Sequence, residues 1–370
     1  MIYLDHNATT PIDEEVKNAM ADAFSLFGNP SSGHSIGKAA KAAVDNARKQ
    51  AADLIGADAS EIIFTSGGTE ADNLAIIGTA HKHQKGHIIT SVIEHPAVLN
   101  PVSWLETKGF EVSYLPVNIA GTVNPDDVRK AVRKDTILIT VMHSNNETGA
   151  LQPIREIGRI AREYGITFHS DAAQSVGKIE VKASELTVDM LTIVSHKFYG
   201  PKGVGALYIR NGVDVMPIMF GAGHERGIRP GTENVIGIAG LGKACETAGH
   251  NMSFRYDHAV KLRDKLFSLL RNALDVRLNG HETLRLPNTL NISIRGVIGN
   301  DLVEKLKAGV AFSAGSACHS GTCKPSPVLK AMGLSDEDAL SAVRLSVGKD
   351  NTLDEILSAS ELIIACVKEL

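Results

Sequence analysis

From about residue 35 to about residue 210, short apolar runs rich in β-branched residues alternate with stretches of helical period. This alternation restricts the chain to strand-helix-strand units around a largely parallel sheet. It predicts a helix over 35–54, the strand EIIFT, a turn at SGGTE and a helix over about 70–83. The strand HIITSV, a helix over 97–107, the strand EVSYLPV, a helix over 126–133 and the strand TILITVM come next. A helix over 154–164 and the strands ITFHS, MLTIVS and GALYI complete the series. From about Met252 the order changes to a long helix, the strand-like RLPNTLNISI and a helix after Asp301. An irregular segment around SAGSACHSGTCKPS and two further helices close the chain, as expected of a smaller α/β domain. The division expected is 15–250 for a large domain, with 1–14 and 251–370 forming the small one.

A chain of 370 residues, 43% of them hydrophobic, can bury a core large enough for two such domains. The formal net charge of -4 leaves no basic excess, so direct binding to nucleic acid or an anionic membrane is not expected. The opening MIYLDHNATTP lacks a basic stretch followed by an apolar core, and no run is long enough to span a bilayer, so the expected location is cytoplasmic. Four cysteines do not make a disulfide framework in a chain this long. Cys245 and Cys366 lie in helical apolar surroundings that suit burial, whereas Cys318 and Cys323 lie in a Gly/Ser-rich stretch. Their spacing is not Cys-X-X-Cys and there is no second pair, so no metal site is expected.

Open parallel sheets bind ligands at the carboxyl ends of their strands, which directs attention to the residues that follow each strand. Ser66-Gly67-Gly68-Thr69 follows EIIFT and opens a helix, a composition that lets backbone amides approach a phosphate. Glu94-His95-Pro96 follows HIITSV, where an imidazole could lie against a bound ring or merely cap the next helix. The polar run His143 to Gly149 follows TILITVM and contains Asn146. Asp171-Ala172-Ala173-Gln174 follows ITFHS, and His196-Lys197 follows MLTIVS. A lysine amine for a Schiff base and a carboxylate for a pyridinium nitrogen are what pyridoxal phosphate requires of a protein. The segment GAGHERGIRPGTEN, with Arg226, Arg229 and Thr232, suits a loop lining an anionic site or a plain surface loop. Cys318 sits among small residues beside His319, where a thiolate could be stabilised.

Taken together these motifs resemble the cysteine desulfurase and selenocysteine lyase family, within the class V branch of the aminotransferase-like fold. The resemblance runs from YLDHNATTP through FGNPSSGHSIG, FTSGGTEADN, EHPAVL, NNETGALQPI and DAAQSVGK. It continues through HKFYGPKGVGALY, RPGTEN and SAGSACHSG to RLSVGKDNT, which is essentially the whole chain. It implies a fold type I enzyme with a mainly parallel seven-stranded sheet flanked by helices, plus a smaller α/β domain. It implies that Lys197 forms the Schiff base with pyridoxal 5'-phosphate, Asp171 holds the pyridine nitrogen and His95 stacks on the ring. Gly68, Thr69, Ser195 and His196 would lie at the phosphate, joined by Thr232 from the neighbouring subunit of a homodimer. Gln174 and Asn146 would bond the ring oxygen or the substrate, and Arg344 the substrate carboxylate, with its planar fork. Cys318 would take sulfur from L-cysteine as a persulfide for an acceptor protein, while Lys197 moves the proton at Cα.

Two departures stand out. Many members carry a serine where this chain has Val194, and the middle residue of Asp5-His6-Asn7 also varies from the usual one. Val194 and the sequence ACHS resemble the selenocysteine lyase branch, which makes release of selenium from L-selenocysteine the alternative. A non-catalytic sulfur-relay scaffold is the alternative of another class, opposed by the intact set of Lys197, Asp171 and His95. A nucleotide-binding P-loop fails because SGGTE lacks the Gly-Lys-Ser/Thr ending.

Overall fold

The computed structural model describes residues 1–319 and 322–370, and the side chains of all of these except 316–319, 322 and 323. Strand β1 (Ile2–Tyr3) and helix α1 (Glu14–Ala23) lead into α2 (Ser35–Ile55). The large sheet then builds through β2 (Ile62–Thr65), α3 (Gly68–Ala80), β3 (His87–Ser91), α4 (Pro96–Glu106), β4 (Glu111–Leu115) and α5 (Pro125–Ala131). It continues through β5 (Thr136–Thr140), α6 (Ile154–Tyr164), β6 (Thr167–Asp171), α7 (Ala183–Leu186), β7 (Met190–Val194) and β8 (Gly205–Ile209).

Its seven strands lie in the order β2-β8-β7-β6-β5-β3-β4. Strands β3 to β7 pair in parallel, and β8 runs antiparallel to both β2 and β7. Every residue of β2, β3, β7 and β8 is buried, as a sheet covered by helices on both faces requires. The mainly parallel, seven-stranded α/β architecture expected from the alternation is therefore present. Helix α1 had no counterpart in the expected pattern, being short and separated from the alternating region.

The long helix α8 (Val235–Ala273) begins well before Met252. Its first part, VIGIAGLGKACETAG, is rich in glycine, which weakens the helical signal in sequence. Packing supplies the reason for those glycines: a Cβ at Gly242 would lie 2.5 Å from the Cα of Ala47 on α2. The two helices approach backbone to backbone there. Ile238, Leu241, Ala244, Cys245 and Ala248 of α8 join the core of the large sheet, whereas Ala259, Leu262, Leu266 and Leu270 join a second core.

That second core lies around β9 (Val276–Leu278), β10 (Thr289–Ile294), α9 (Gly299–Leu306), β11 (Val310–Ala311) and β12 (Ser313–Ala314). Beyond these come β13 (Ser316–His319), β14 (Thr322–Pro325), α10 (Pro327–Ala331), α11 (Asp336–Leu340), β15 (Ala342–Ser346) and α12 (Leu353–Glu369). Strands β12-β15-β10-β9 make an antiparallel sheet, and β1 pairs in parallel with β11, tying the N-terminus to this part of the chain. In the stretch SAGSACHSGTCKPS, expected to be irregular, residues 313–314, 316–319 and 322–325 are instead strands. The stretch contributes to β12 and forms the β13-β14 ribbon, with Cys318 in register with Cys323. Small polar residues hid the strand signal there, and in β15 the charged Arg344 at its centre interrupts the apolar run. Cys245 and Cys366 are buried free thiols, as expected.

Candidate active site

The carboxyl ends of the parallel strands enclose a cavity of about 440 Å³. Of the residues singled out in sequence, Gly68, Thr69, His95, Asn146, Asp171, Gln174, His196, Lys197 and Arg344 line it. Asp171 ends β6, Lys197 closes the 3-10 turn Ser195–Lys197 directly after β7, and His95 precedes α4. Chain direction alone brings these three together: parallel strands put their ends on one edge.

Lys197 donates from Nζ to the carbonyls of Asn7 and Ala8, each at 2.8 Å. Burial and the Arg344 guanidinium push its amine down to about 8, so a free-base nucleophile is readily available. The backbone after it is strained, since Tyr199 sits at φ 72, a left-handed conformation unusual for a bulky residue. Its N–H donates to Thr10 Oγ1 at 2.7 Å, and its hydroxyl accepts from the Lys349 N–H at 2.7 Å. Those bonds hold the strained turn, and with it the lysine, from both sides.

Asp171 accepts the Ala173 N–H at 2.8 Å, and burial raises its carboxyl above the ordinary range. A cationic ring nitrogen would reverse that shift. Two further buried acids stand near it. Asp72, on α3, lines the cavity and is held well above its ordinary value by burial and by Asp171; its Oδ1 has no hydrogen-bond partner. Glu94 is pushed up to about 8 by burial although both its oxygens accept the Met142 N–H. Of the two tasks anticipated for His95, the structure shows the cap. Its Nδ1 accepts the Ala97 N–H at 3.1 Å and caps α4, while desolvation lowers the pKa of the imidazole, which lines the cavity.

Arg344 reaches in from β15. Its guanidinium donates to Asp5 Oδ1 at 2.7 Å, to Ser313 Oγ at 2.9 Å and to the Asn146 carbonyl at 3.3 Å. Its buried Nε has no partner. Such a planar donor fork at the cavity wall suits a carboxylate, which would take the place Asp5 holds here.

The N-terminus of α3 forms the opposite wall. Its first-turn N–H groups have no acceptor within the helix, and Gly67 before them, at φ 151, requires glycine. Gly68 packs against Val194, which lines the cavity where a serine was the usual expectation. His196 bonds Thr9 Oγ1 at 3.1 Å and is pushed down to about 4, chiefly by burial. Ser195 does not line the cavity: the turn after β7 faces it inward, its Oγ buried without a partner where the turn closes on Gly200. Thr232 is exposed and outside this cavity. In the loop before it, Arg229 pairs with Glu70 at 2.8 Å rather than entering the site.

The Cys318 side chain lies outside the described residues. Cys318 is, however, only five residues from Ser313, which is in register with Arg344. Five residues span at most about 18 Å, which bounds the distance between Cys318 and the strand that carries Arg344. Sequence reading passed over Asn7, Asp72 and Lys178, although all three sit inside motifs that carried the resemblance. Asn7 accepts from Lys197 and Gln174 through its carbonyl and from Lys178 through its side chain. Only contacts between distant segments distinguish it from an ordinary loop asparagine. Among the described residues no cluster of His, Cys, Asp or Glu could hold a metal ion, and no helix is long and apolar enough to cross a membrane.

A family model described as Aminotransferase class-V matches residues 2–358. The curated Cysteine desulfurase IscS of Methanosarcina thermophila is 48% identical over 373 residues, covering 100% of this chain and 92% of that protein. A solved structure described as a NifS-like protein is similar with a TM-score of 0.94 at 38% identity, covering 100% of both chains. The solved structure of SspA in complex with cysteine is similar with a TM-score of 0.85 at 37% identity, covering 95% of this chain and 100% of that one.

Proposed function

The chain belongs to the aminotransferase class-V family and is a cysteine desulfurase, and from that premise we propose that Lys197, Asp171, His95, Arg344 and Cys318 carry its reaction. L-Cysteine is the substrate, and the relatives do not favour the selenocysteine lyase or scaffold alternatives.

The observation that carries the assignment of residues is the cavity itself. It holds a depressed-pKa lysine, a buried carboxyl, an imidazole, a free helix N-terminus and an arginine fork. These groups fit pyridoxal phosphate: α3 for the phosphate with Gly68, Thr69 and His196, Asp171 for the ring nitrogen, His95 for the ring face and Gln174 for the ring oxygen. When bound, that cofactor supplies an aldehyde for amines and a ring that withdraws electrons from the substrate Cα. Arg344 and Asn146 orient the substrate, the arginine by its carboxylate. Lys197 takes the Cα proton and returns a proton to carbon. Cys318, as thiolate, attacks the substrate sulfur: an S–S bond forms, the C–S bond breaks with its electrons left on carbon, and alanine departs once that carbon is protonated.

The same reading includes a homodimer, an acceptor protein for the persulfide and a cytoplasmic location. An exposed Thr232, far from serving its own cavity, supports the dimer. Separate apolar cores support a large domain over 15–250 and a small one of 1–14 with 251–370, joined through α8. The test is sulfide release from L-cysteine by wild type and Cys318→Ala, with the visible absorption of the bound cofactor recorded for both. Loss of release with retained absorption is expected. Undiminished turnover by Cys318→Ala would overturn the role of Cys318, and undiminished turnover by Lys197→Ala that of the lysine.

A further inference from the structure

Behind the cavity wall stands a second lysine that the scheme above does not use. Lys178 is half-buried and does not line the cavity, and the charges acting on it are those of Lys197 and Arg344 rather than of any carboxylate. Its place is fixed by the chain: Gly177, at φ 77, packs so closely on Phe198, the residue after Lys197, that a Cβ would lie 2.6 Å from the Phe198 Cβ. From there Nζ donates to Gln174 Oε1 at 2.8 Å and to Asn7 Oδ1 at 3.3 Å.

An ammonium has donors and no acceptor, so an amide that bonds it must present oxygen. The neutral amine would still offer two N–H groups, enough for both oxygens. With Oε1 taken, Gln174 has its Nε2 on the other side, where one hydrogen goes to the Asn7 carbonyl at 2.9 Å. The other is free for the cavity. Asn7 is oriented in the same way: its Oδ1 accepts from Lys178 and, at 3.0 Å, from Asn288, so its Nδ2 donates to Thr289 Oγ1 at 2.8 Å and the Asn146 carbonyl at 3.2 Å. The Asn7 carbonyl, in turn, receives Lys197.

We propose that Lys178 is a positioning residue that sets the orientation of two side-chain amides, so that Gln174 presents an N–H to the cofactor's ring oxygen and Asn7, fixed by its side chain, ties that arrangement to Thr289 and Asn146. This rests on the reading that Lys197 binds pyridoxal phosphate. The other charged and titratable groups facing Lys197 are Asp171, Arg344, Asp5, His95 and His196, and none is altered in the test.

The experiment is a pH titration of the visible absorption band in the full-length holoenzyme, for wild type, Lys178→Met, Lys178→Gln and Lys178→Arg. A ring oxygen that loses its donor holds more negative charge and raises the proton affinity of the neighbouring lysine-bound group. The midpoint is therefore expected to rise by about one unit, a tenfold change in proton affinity, in the Met and Gln variants. It is expected to rise no further when Lys178→Met is added to Gln174→Leu. A further rise there would show that the lost Lys178 charge acts directly and would overturn the inference. The Arg variant, still a donor without an acceptor, is expected to titrate near wild type. Midpoints in the Met and Gln variants equal to wild type would overturn the inference while leaving the Lys197 reading intact. An Arg variant displaced as far as Met would overturn it too, since packing rather than donor chemistry would then be responsible. Lys178→Gln, close in size and shape, carries the comparison if Lys178→Met does not fold. A wild-type holoenzyme without the band would overturn both readings at once.

Discussion

Gly68 and Val194 meet at the wall expected to receive a phosphate, and their contact can be tested as a pair. A methyl group added at Gly68 would lie 2.6 Å from Val194 Cγ2, and 3.8 Å from Thr192 Cγ2. Carbon atoms prefer about 3.5–4.0 Å, so Gly68→Ala forces a displacement of roughly 1 Å. Val194 is buried and β-branched, hence stiff, and cannot give way by rotation alone. Overpacking of this kind costs about 1–3 kcal/mol, less a few tenths from the better helix propensity of alanine in a first turn. Val194→Ala alone removes two carbons from a buried site and costs roughly 1.6 kcal/mol. In the double variant the new methyl enters the space vacated by Cγ2, so the two costs do not add. At about 2 °C per kcal/mol for a domain of this size, the single variants lower the calorimetric midpoint by roughly 2–6 °C and 3 °C. The double variant is expected to lose roughly 3 °C or less. A double variant that loses the sum of the two single shifts would show that these residues do not press on each other, and the account of this wall would fall.

Three further outcomes follow from the site. Arg344→Lys keeps the charge but loses the fork, and the KM for L-cysteine in steady-state sulfide release should rise about tenfold or more, with kcat changed less. Because the Lys197 amine is pushed down to about 8, the rate at which apoprotein recovers visible absorption on adding pyridoxal phosphate should rise roughly tenfold per pH unit below that value and level off above it. A rate flat between pH 6 and 8 would refute it. His143 is buried neutral and pushed down to about 4 from an ordinary value of 6.5, so its contribution to stability is present above 6.5 and is lost as pH falls toward 4. His143→Gln should reduce the acid-side slope of the unfolding midpoint, by roughly 1.4 kcal/mol per pH unit at most, and an unchanged slope would contradict the assignment.

The fold was legible wherever burial imposed a regular period. Strands with both faces covered, such as Met190–Val194 and Gly205–Ile209, stand out as apolar runs, and α6, with one apolar face, runs over Ile154–Tyr164 as its period predicts. Elements whose residues answer to something other than a core were harder. In the first half of α8, Gly240 and Gly242 face α1 and α2 at close range, β15 carries Arg344 because the cavity lies beside it, and β13 is built from small residues. In the site, Asp171, His95 and Lys197 could be picked out because each follows a strand. Ser195 could not be separated from its neighbours in this way, since its inward direction depends on the turn that closes on Gly200. The roles of Asn7 and Lys178 depend on partners 139 to 339 and 4 to 171 residues away in sequence.

Residue order therefore determined the strand ends, and with them which reactive side chains share one edge of the sheet, because chain direction in a parallel sheet places every carboxyl end on the same side. The protonation and orientation of those side chains were set by assembly. Burial and the arrival of Arg344 lower Lys197, and Asp5 from the N-terminus pairs with Arg344 from β15. Desolvation and hydrogen bonding depend on which groups surround an atom in space, and segments remote in sequence supply most of those groups here.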